Sequence, residues 1–583
     1  MKHIKSCTKQ VLSCIMASMM ALTFTSCDDF LSLLPTNEIV LENYWKDEAD
    51  VNSVVTSCYV QLANSDCVNR MIVWGELRSD NMTLGNNPSN DVRQILKENL
   101  LETNTYTSWT CFYKCINYCN TVMHYAPEVN AIDPNFTDSE LRTTIAEVTI
   151  LRALCYFYLI RAYRDVPYVS VPSIDDNIKY MIPASKFDDV LDSLIVSVES
   201  VKDDAIRSYG EHSNENVTRI TRWAAYALLA DMYLWKGDYQ SCIKYCDMVS
   251  AHMLDLYNRE LEENPSGLTM ELYGPYPLIS EVPAGSNFAG NTYNEIFGSG
   301  RSLESIFELN FERNKGAMNS AVSGFYGNSN GNGTVSVPSY LLNEAAAGNN
   351  KYFRKTDCRY LENMAEESSK VYIRKYVNDD VQFRLSTTTG AAPTVTASAR
   401  ANDQFDANWI IYRYTDVLLM KAEAEVELAG NILPTDTISD DQLAHYQRAF
   451  ACVSAVWKRA NNKRIATTDT LVFADYSSSK LAMENLVLEE RQRELMFEGK
   501  RWFDLVRTSR RDGNNSRLST RFCTKVIALT RLKIVNIADW RDHSGCTTCT
   551  CLFECFKFFL WNRTTLHLHT QILCHLHQRL VGD

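Results

Sequence analysis

The chain has 583 residues, 45% of them hydrophobic and 22% charged, the make-up of a globular protein with a sizeable core and not of a disordered one. The formal charge of −13 is uneven: residues 511–583 carry +5, which leaves −18 on the rest. So acidic a body excludes general nucleic-acid binding, which needs clustered basic residues, and suits a neutral ligand.

The N-terminus carries Lys2, Lys5 and Lys9 with no acidic residue before Asp28. The next stretch, the apolar run "VLSCIMASMMALTF", is too short to span a bilayer comfortably. A basic start, a short apolar centre and small residues before a break make a secretory signal over residues 1–26. The break at Thr25-Ser26-Cys27 reads as a lipoprotein signal, in which Cys27 becomes the mature N-terminus and carries the lipid. Lipid chains hold a protein to a membrane without spanning it.

Helical patterns dominate the body. "EVTILRALCYFYLIRAYRDVPYV" puts Leu151, Leu154, Cys155, Tyr158 and Leu159 on one face, and Pro167 halts it. "WAAYALLADMYLWKGDYQSCIKYCDMV" predicts two helices, with Gly237 as the stop of the first and Asp238 as the cap of the second. Large and small residues alternating around this "GDY" turn look like a tetratricopeptide-type hairpin, whose period is about 34 residues. Residues 258–405 are rich in Gly, Asn, Ser and Tyr and read as a loop-rich insertion, with short extended pieces at "ESIFELNFE" and "KVYIRKYV". The helical pattern returns at "YRYTDVLLMKAEAEVELAGN", with a partner helix across "LAHYQRAFACVSAVWKRA". The copies are unevenly spaced, which predicts a helical scaffold interrupted by insertions and not a plain solenoid.

"LVLEERQRELMFEGKRWFDLVRT" sets Glu489 and Arg493 at i, i+4 on a helix that Gly499 ends. A second helical turn begins at once, in which Arg501, Asp504 and Arg507 lie three apart and can pair. Alternating charge at this spacing is read as a structural ladder and not as a catalytic set.

Cysteine usage gives the same bland reading. Of 19 cysteines, six fall after residue 511, and Cys111, Cys115 and Cys119 recur at i, i+4, i+8. Buried free thiols behave as small hydrophobes, so packing is expected in place of a disulfide framework or a metal site.

With these segments in order, the chain resembles the SusD/RagB family of Bacteroidetes outer-membrane lipoproteins. The resemblance is carried by "CDDFLSLLPT", "WGELRSDNM", "ILRALCYFYLIRAYRDVPYV", "WAAYALLADMYLWKGDYQ", "ESIFELNFE", "YRYTDVLLMKAEAEVEL" and "ERQRELMFEGKRWFDLVR", over residues 27–508. It implies an all-α, tetratricopeptide-like helical-hairpin scaffold with a loop-rich face. It further implies a lipid-anchored protein exposed at the cell surface, a lid on a SusC-like TonB-dependent transporter, capturing glycans or, in some branches, peptides. Asp28 and Asp29 resemble the family's surface-export signal. No cofactor or metal is implied.

The family offers no shared ligand-binding motif, so candidates rest on chemistry: sugar rings present apolar faces and hydroxyl edges, which suit aromatic rings beside polar side chains. "WGELRSDN" offers Trp74, Arg78, Asp80 and Asn81; the insertion offers Tyr273 and Tyr276 in "ELYGPYP" and Tyr293 in "GNTYNE". An enzyme is the less favoured reading. "GNSNG" at 327–331 matches the hydrolase pattern G-x-S-x-G but lacks the apolar strand that an elbow requires. A surface glycoside hydrolase needs only two placed carboxylates and stands as the alternative.

Residues 509–583 depart from the pattern: five of the ten histidines and the run "CTTCTCLFEC" lie there, with no proline. Cys546-x-x-Cys549 is half of a zinc site that lacks a second half at matching spacing. A composition that changes just after a family motif points instead to a frameshift that has replaced the native C-terminus.

Overall fold

The computed structural model describes residues 44–174, 181–327, 331–342, 353–354, 356–367, 370–384, 394–401, 404–431, 438–461 and 470–514. Cys27 with its flanking aspartates, the centre of "GNSNG" and the Cys/His-rich tail lie outside the described residues.

The scaffold is a run of helices packed antiparallel on their sequence neighbours. In chain order these are α1 (Glu48–Leu62), α2 (Ser65–Ile72), α3 (Thr110–Ile132), α4 (Asp138–Tyr163), α5 (Phe187–Val201), α6 (Arg222–Lys236) and α7 (Tyr239–Glu263). After an irregular region come α8 (Tyr414–Ala429), α9 (Asp440–Ala460), α10 (Lys480–Leu495) and α11 (Arg501–Arg511). The pairs α3/α4, α6/α7 and α8/α9 make the most extensive contacts, and α7 lies against α8, so the two helical blocks join into one layer. This is the helical scaffold that the periodicity predicts, in the all-α, tetratricopeptide-like form that the family resemblance implies.

Local chemistry sets the helix ends. Thr137 and Glu140 form a capping box before α4, and Ser439 and Gln442 form another before α9. Gly237 ends α6 at φ 83°, a left-handed conformation that favours glycine, and the Asp238 side chain accepts from Ser241 N at the start of α7. Helix α4 is apolar all round because it is buried all round, from Thr144 to Arg161 almost without interruption.

The predicted insertion begins later than residue 258, because α7 continues to Glu263. The chain beyond α7 is less loop-like than its composition suggests. The hairpin β1 (Met270–Tyr273) and β2 (Tyr276–Ile279) packs on α7 and α9. Strand β3 (Ser305–Leu309), inside the expected "ESIFELNFE" piece, pairs antiparallel with β6 (Trp409–Arg413), which leads straight into α8. Between them, β4 (Asn378–Arg384) pairs with β5 (Thr394–Ala399).

A buried charge hub sutures this region to the helices. Glu494, near the end of α10, accepts from Arg413 at 2.6 Å and from Arg359 at 3.0 Å, and also pairs with Arg459. Burial raises a carboxyl, but here the three guanidinium groups outweigh it and hold Glu494 well below the usual carboxylate range. Glu498 closes the hub, taking Lys375 Nζ at 2.7 Å and Arg413 Nη2 at 2.8 Å. The ten described cysteines are all buried free thiols; Cys119 lies 3.8 Å from Cys58 where α3 meets α1.

Candidate functional site

The segment "WGELRSDN" is buried, and its partner is "ELMFEGKRW". Glu76 accepts from the backbone N–H groups of Phe497 (2.9 Å), Gly499 (3.1 Å) and Lys500 (3.2 Å), and from Asn81 Nδ2 (2.7 Å). Burial pushes the Glu76 carboxyl up, hydrogen bonds from Asn81 and from the backbone of Phe497, Lys500 and Arg501 pull it back, and the net position is about 7. Asp80 receives a bidentate Arg501 fork at 2.8 and 3.0 Å, and Gln492 donates to Asn81 at 2.8 Å. The turn carries Phe497 at φ 68° and Gly499 at φ 72°. The two backbones meet so closely that a Cβ on Gly75 would lie 1.9 Å from the Gly499 carbonyl oxygen.

This clasp corrects the expected ligand platform. Asp80 and Asn81 are committed to Arg501 and Gln492. Arg78 is clamped between the Trp502 ring at 4.0 Å and Glu98 at 3.1 Å. Trp74 is 5% exposed and donates to Tyr106 O at 3.0 Å. Tyr293 has no exposed surface, and its hydroxyl donates to Arg374 O and Asn378 O at 2.8 and 2.9 Å. Tyr276 is buried, with the Cys452 thiol donating to its hydroxyl at 3.2 Å; only Tyr273, across the hairpin, stays partly exposed, so the two do not make a joint platform. The expected charge ladder is structural but lies in the interior: Arg491 bridges Asp416 and Asp504, and Arg507 bridges Glu423 and Asp504.

What the clasp does position is an aromatic ridge. Trp109 stands just before α3 with 38% of its surface exposed. Its ring meets Tyr113 at 5.7 Å and Tyr163 at 5.4 Å, both edge to face. Trp74 lies against the same Tyr163 at 5.4 Å. The loop that delivers Trp109 is pinned from α2: Arg70 donates to Ser108 O at 2.5 Å and to Thr105 O at 2.9 Å, while Trp74 holds Tyr106 O. Tyr113 OH donates to Pro167 O at 2.7 Å, and Tyr168 in the same segment packs its ring on Tyr156 at 4.9 Å. Several half-exposed rings held by hydrogen-bonded backbone form a surface pre-organised to stack on a flat apolar face. Sequence reading missed it because Trp109 precedes its helix with no polar motif beside it. The signal available was "YTSWTCFY", with four aromatics within eight residues.

Among the described residues no group of three or more His, Cys, Asp or Glu side chains is arranged to hold a metal ion. A cleft of about 330 Å³ opens on other elements, between the 207–217 segment and α7.

The arrangement thus defines a tetratricopeptide-like helical scaffold that presents aromatic surface outside a clasped charge core. The chain belongs to the SusD family: the model described as "SusD family" matches residues 208–528, and that described as "Starch-binding associating with outer membrane" matches residues 29–234. The first match continues past Thr508, where the family-like motifs end, into residues outside those described. A SusD-like protein, P38, of Formosa agariphila is 23% identical over 507 residues, 83% of this chain and 88% of the relative. Among solved structures, a SusD superfamily protein of Bacteroides thetaiotaomicron superposes with a TM-score of 0.57 at 19% identity, covering 82% of this chain and 94% of that one. The surface glycan-binding protein A of Bacteroides uniformis gives 0.54 at 19% identity, covering 80% and 89%.

Proposed function

We propose that this protein is a non-catalytic, cell-surface lipoprotein that captures oligo- or polysaccharide and hands it to a SusC-like TonB-dependent transporter in the outer membrane. The observation that carries the glycan reading is the pinned, half-exposed ridge of Trp109 and Tyr113 on a SusD-family scaffold. A fixed ring loses little conformational freedom when a pyranose face stacks on it, so binding energy is not spent on ordering the site. The family description of starch binding associated with the outer membrane, and the likeness to the surface glycan-binding protein A of Bacteroides uniformis, support the ligand class and location. Attachment through Cys27 and partnership with the transporter rest on the signal pattern and on family membership.

The test is titration of the purified protein against host and plant polysaccharides, with Trp109→Ala alongside. Saturable binding that releases no reducing ends, and that weakens about tenfold in the variant, a change of about 1.4 kcal/mol, supports the reading. Release of new reducing ends would favour a hydrolase and sink the non-catalytic reading. Lipid attachment is checked separately by metabolic labelling with a fatty-acid analogue, which Cys27→Ala should abolish. Co-purification of a SusC-like protein from native membranes tests the partnership.

A further inference from the structure

The cleft of about 330 Å³ shares no lining residue with the ridge. Its volume lies at the lower end of the range that holds small organic ligands. The Trp223 ring, partly exposed, is stacked on His252 with centroids 3.9 Å apart and planes 4° from parallel. Trp223 Nε1 donates to Arg207 O at 3.0 Å, which locks the ring to the wall opposite α7. That wall is itself preformed: Asn216 accepts from Tyr209 N at 2.7 Å and donates to Gly210 O at 2.7 Å. The pocket therefore needs no ordering step before a ligand enters.

The lining chemistry is mixed and balanced. Three arginines (207, 259 and 301) face three glutamates (211, 260 and 263), and none of the glutamates has an ion-pair partner among the described residues. His252 has no hydrogen-bond partner among the described residues. Burial, helped by the nearby Arg259, lowers its imidazole to about 4, so at neutral pH it is uncharged and offers one donor and one acceptor. An anionic ligand would call for an excess of cationic partners. A ligand dense in hydroxyl groups, each both donor and acceptor, uses donors and acceptors in equal measure.

We propose that this cleft is a second carbohydrate site, taking a short neutral glycan across the Trp223 ring, separate from the ridge. It rests on the glycan-capture reading, and the experiment tells the two apart. The whole protein is titrated by calorimetry with neutral hexose and pentose tetrasaccharides (maltotetraose, cellotetraose and xylotetraose), and with a galacturonate tetramer as the charged comparison. Retention of polysaccharide in affinity gels is measured in parallel. Asn214→Trp fills the cleft from its exposed rim, where the native side chain makes no helix-capping bond; Trp223→Ala removes the platform, with thermal melting as the check on folding.

The expected result is that Asn214→Trp weakens binding of a neutral tetrasaccharide at least tenfold while polymer retention persists, and that Trp109→Ala does the reverse. The proposal is overturned if no neutral tetrasaccharide binds, if only galacturonate binds, or if Asn214→Trp leaves tetrasaccharide affinity unchanged. Should Trp109→Ala also leave polymer retention unchanged, the ridge falls while the cleft stands.

Discussion

The clasp and the ridge lie back to back and share Trp74, yet they are built on opposite principles. The clasp is polar, buried and closed: the groups in Glu76, Asp80 and Asn81 that a ligand could use are taken by α10, α11 or the turn between them. The ridge is aromatic, part-exposed and open, and its polar contacts are on the side facing the protein. The difference teaches that richness in charge and amide groups marked the place where two distant segments meet, whereas the aromatic surface left open carries few such groups.

The comparison predicts a graded set of outcomes. Arg501→Ala strips the bidentate guanidinium fork from the buried Asp80 and should cost about 3–5 kcal/mol, read as a fall in urea midpoint, with soluble yield dropping alongside. Tyr273→Ala with Tyr276→Ala should lower stability by about 3 kcal/mol, since Tyr276 is core, while glycan affinity stays unchanged. Loss of affinity in a variant that still melts cooperatively would return these tyrosines to the site.

The interior also sets the pH response, with two opposed carboxyl populations. Burial raises Glu423, but Arg507 and Arg511 outweigh it and hold it at about 2; its contribution is present above the ordinary value of 4.5 and is lost as pH falls through 2. Glu362 is raised by burial to about 7; its contribution is complete below 4.5 and is lost as pH rises through 7. Glu362→Gln should therefore melt like the wild type near pH 4 and gain an advantage of about 3 kcal/mol at pH 8, followed by scanning calorimetry; equal profiles at both pH values would refute this. The smallest structural effect belongs to the ridge, where Trp109→Ala should leave the melting temperature within about two degrees because the ring is more than a third exposed.

Local rules made much of the scaffold legible. Gly237 and Asp238 mark the α6/α7 hairpin by side-chain chemistry alone, and both act as expected. The stripe from Leu151 to Leu159 identified α4 as a helix, although not its depth, because a stripe identifies one buried face and α4 buries all of them. The extended piece that became β3 was legible, but its pairing with β6 was not, since that pairing joins segments 100 positions apart. Site candidates were the least legible. "WGELRSDN" has the residue types of a sugar site, and sequence spacing carries no information about what stands opposite.

The sequence by itself determined the helical periods, the capped ends and the seven ordered segments that place the chain in its family, because each depends on contacts within a few residues. Only the tertiary structure decided which polar groups are spent and which surfaces stay open. Asp80 meets Arg501 across 421 positions, and Trp223 meets His252 across a helical hairpin. Burial and pairing are properties of the folded neighbourhood, and a side chain's chemistry becomes function only where that neighbourhood leaves it unpartnered and within reach of solvent.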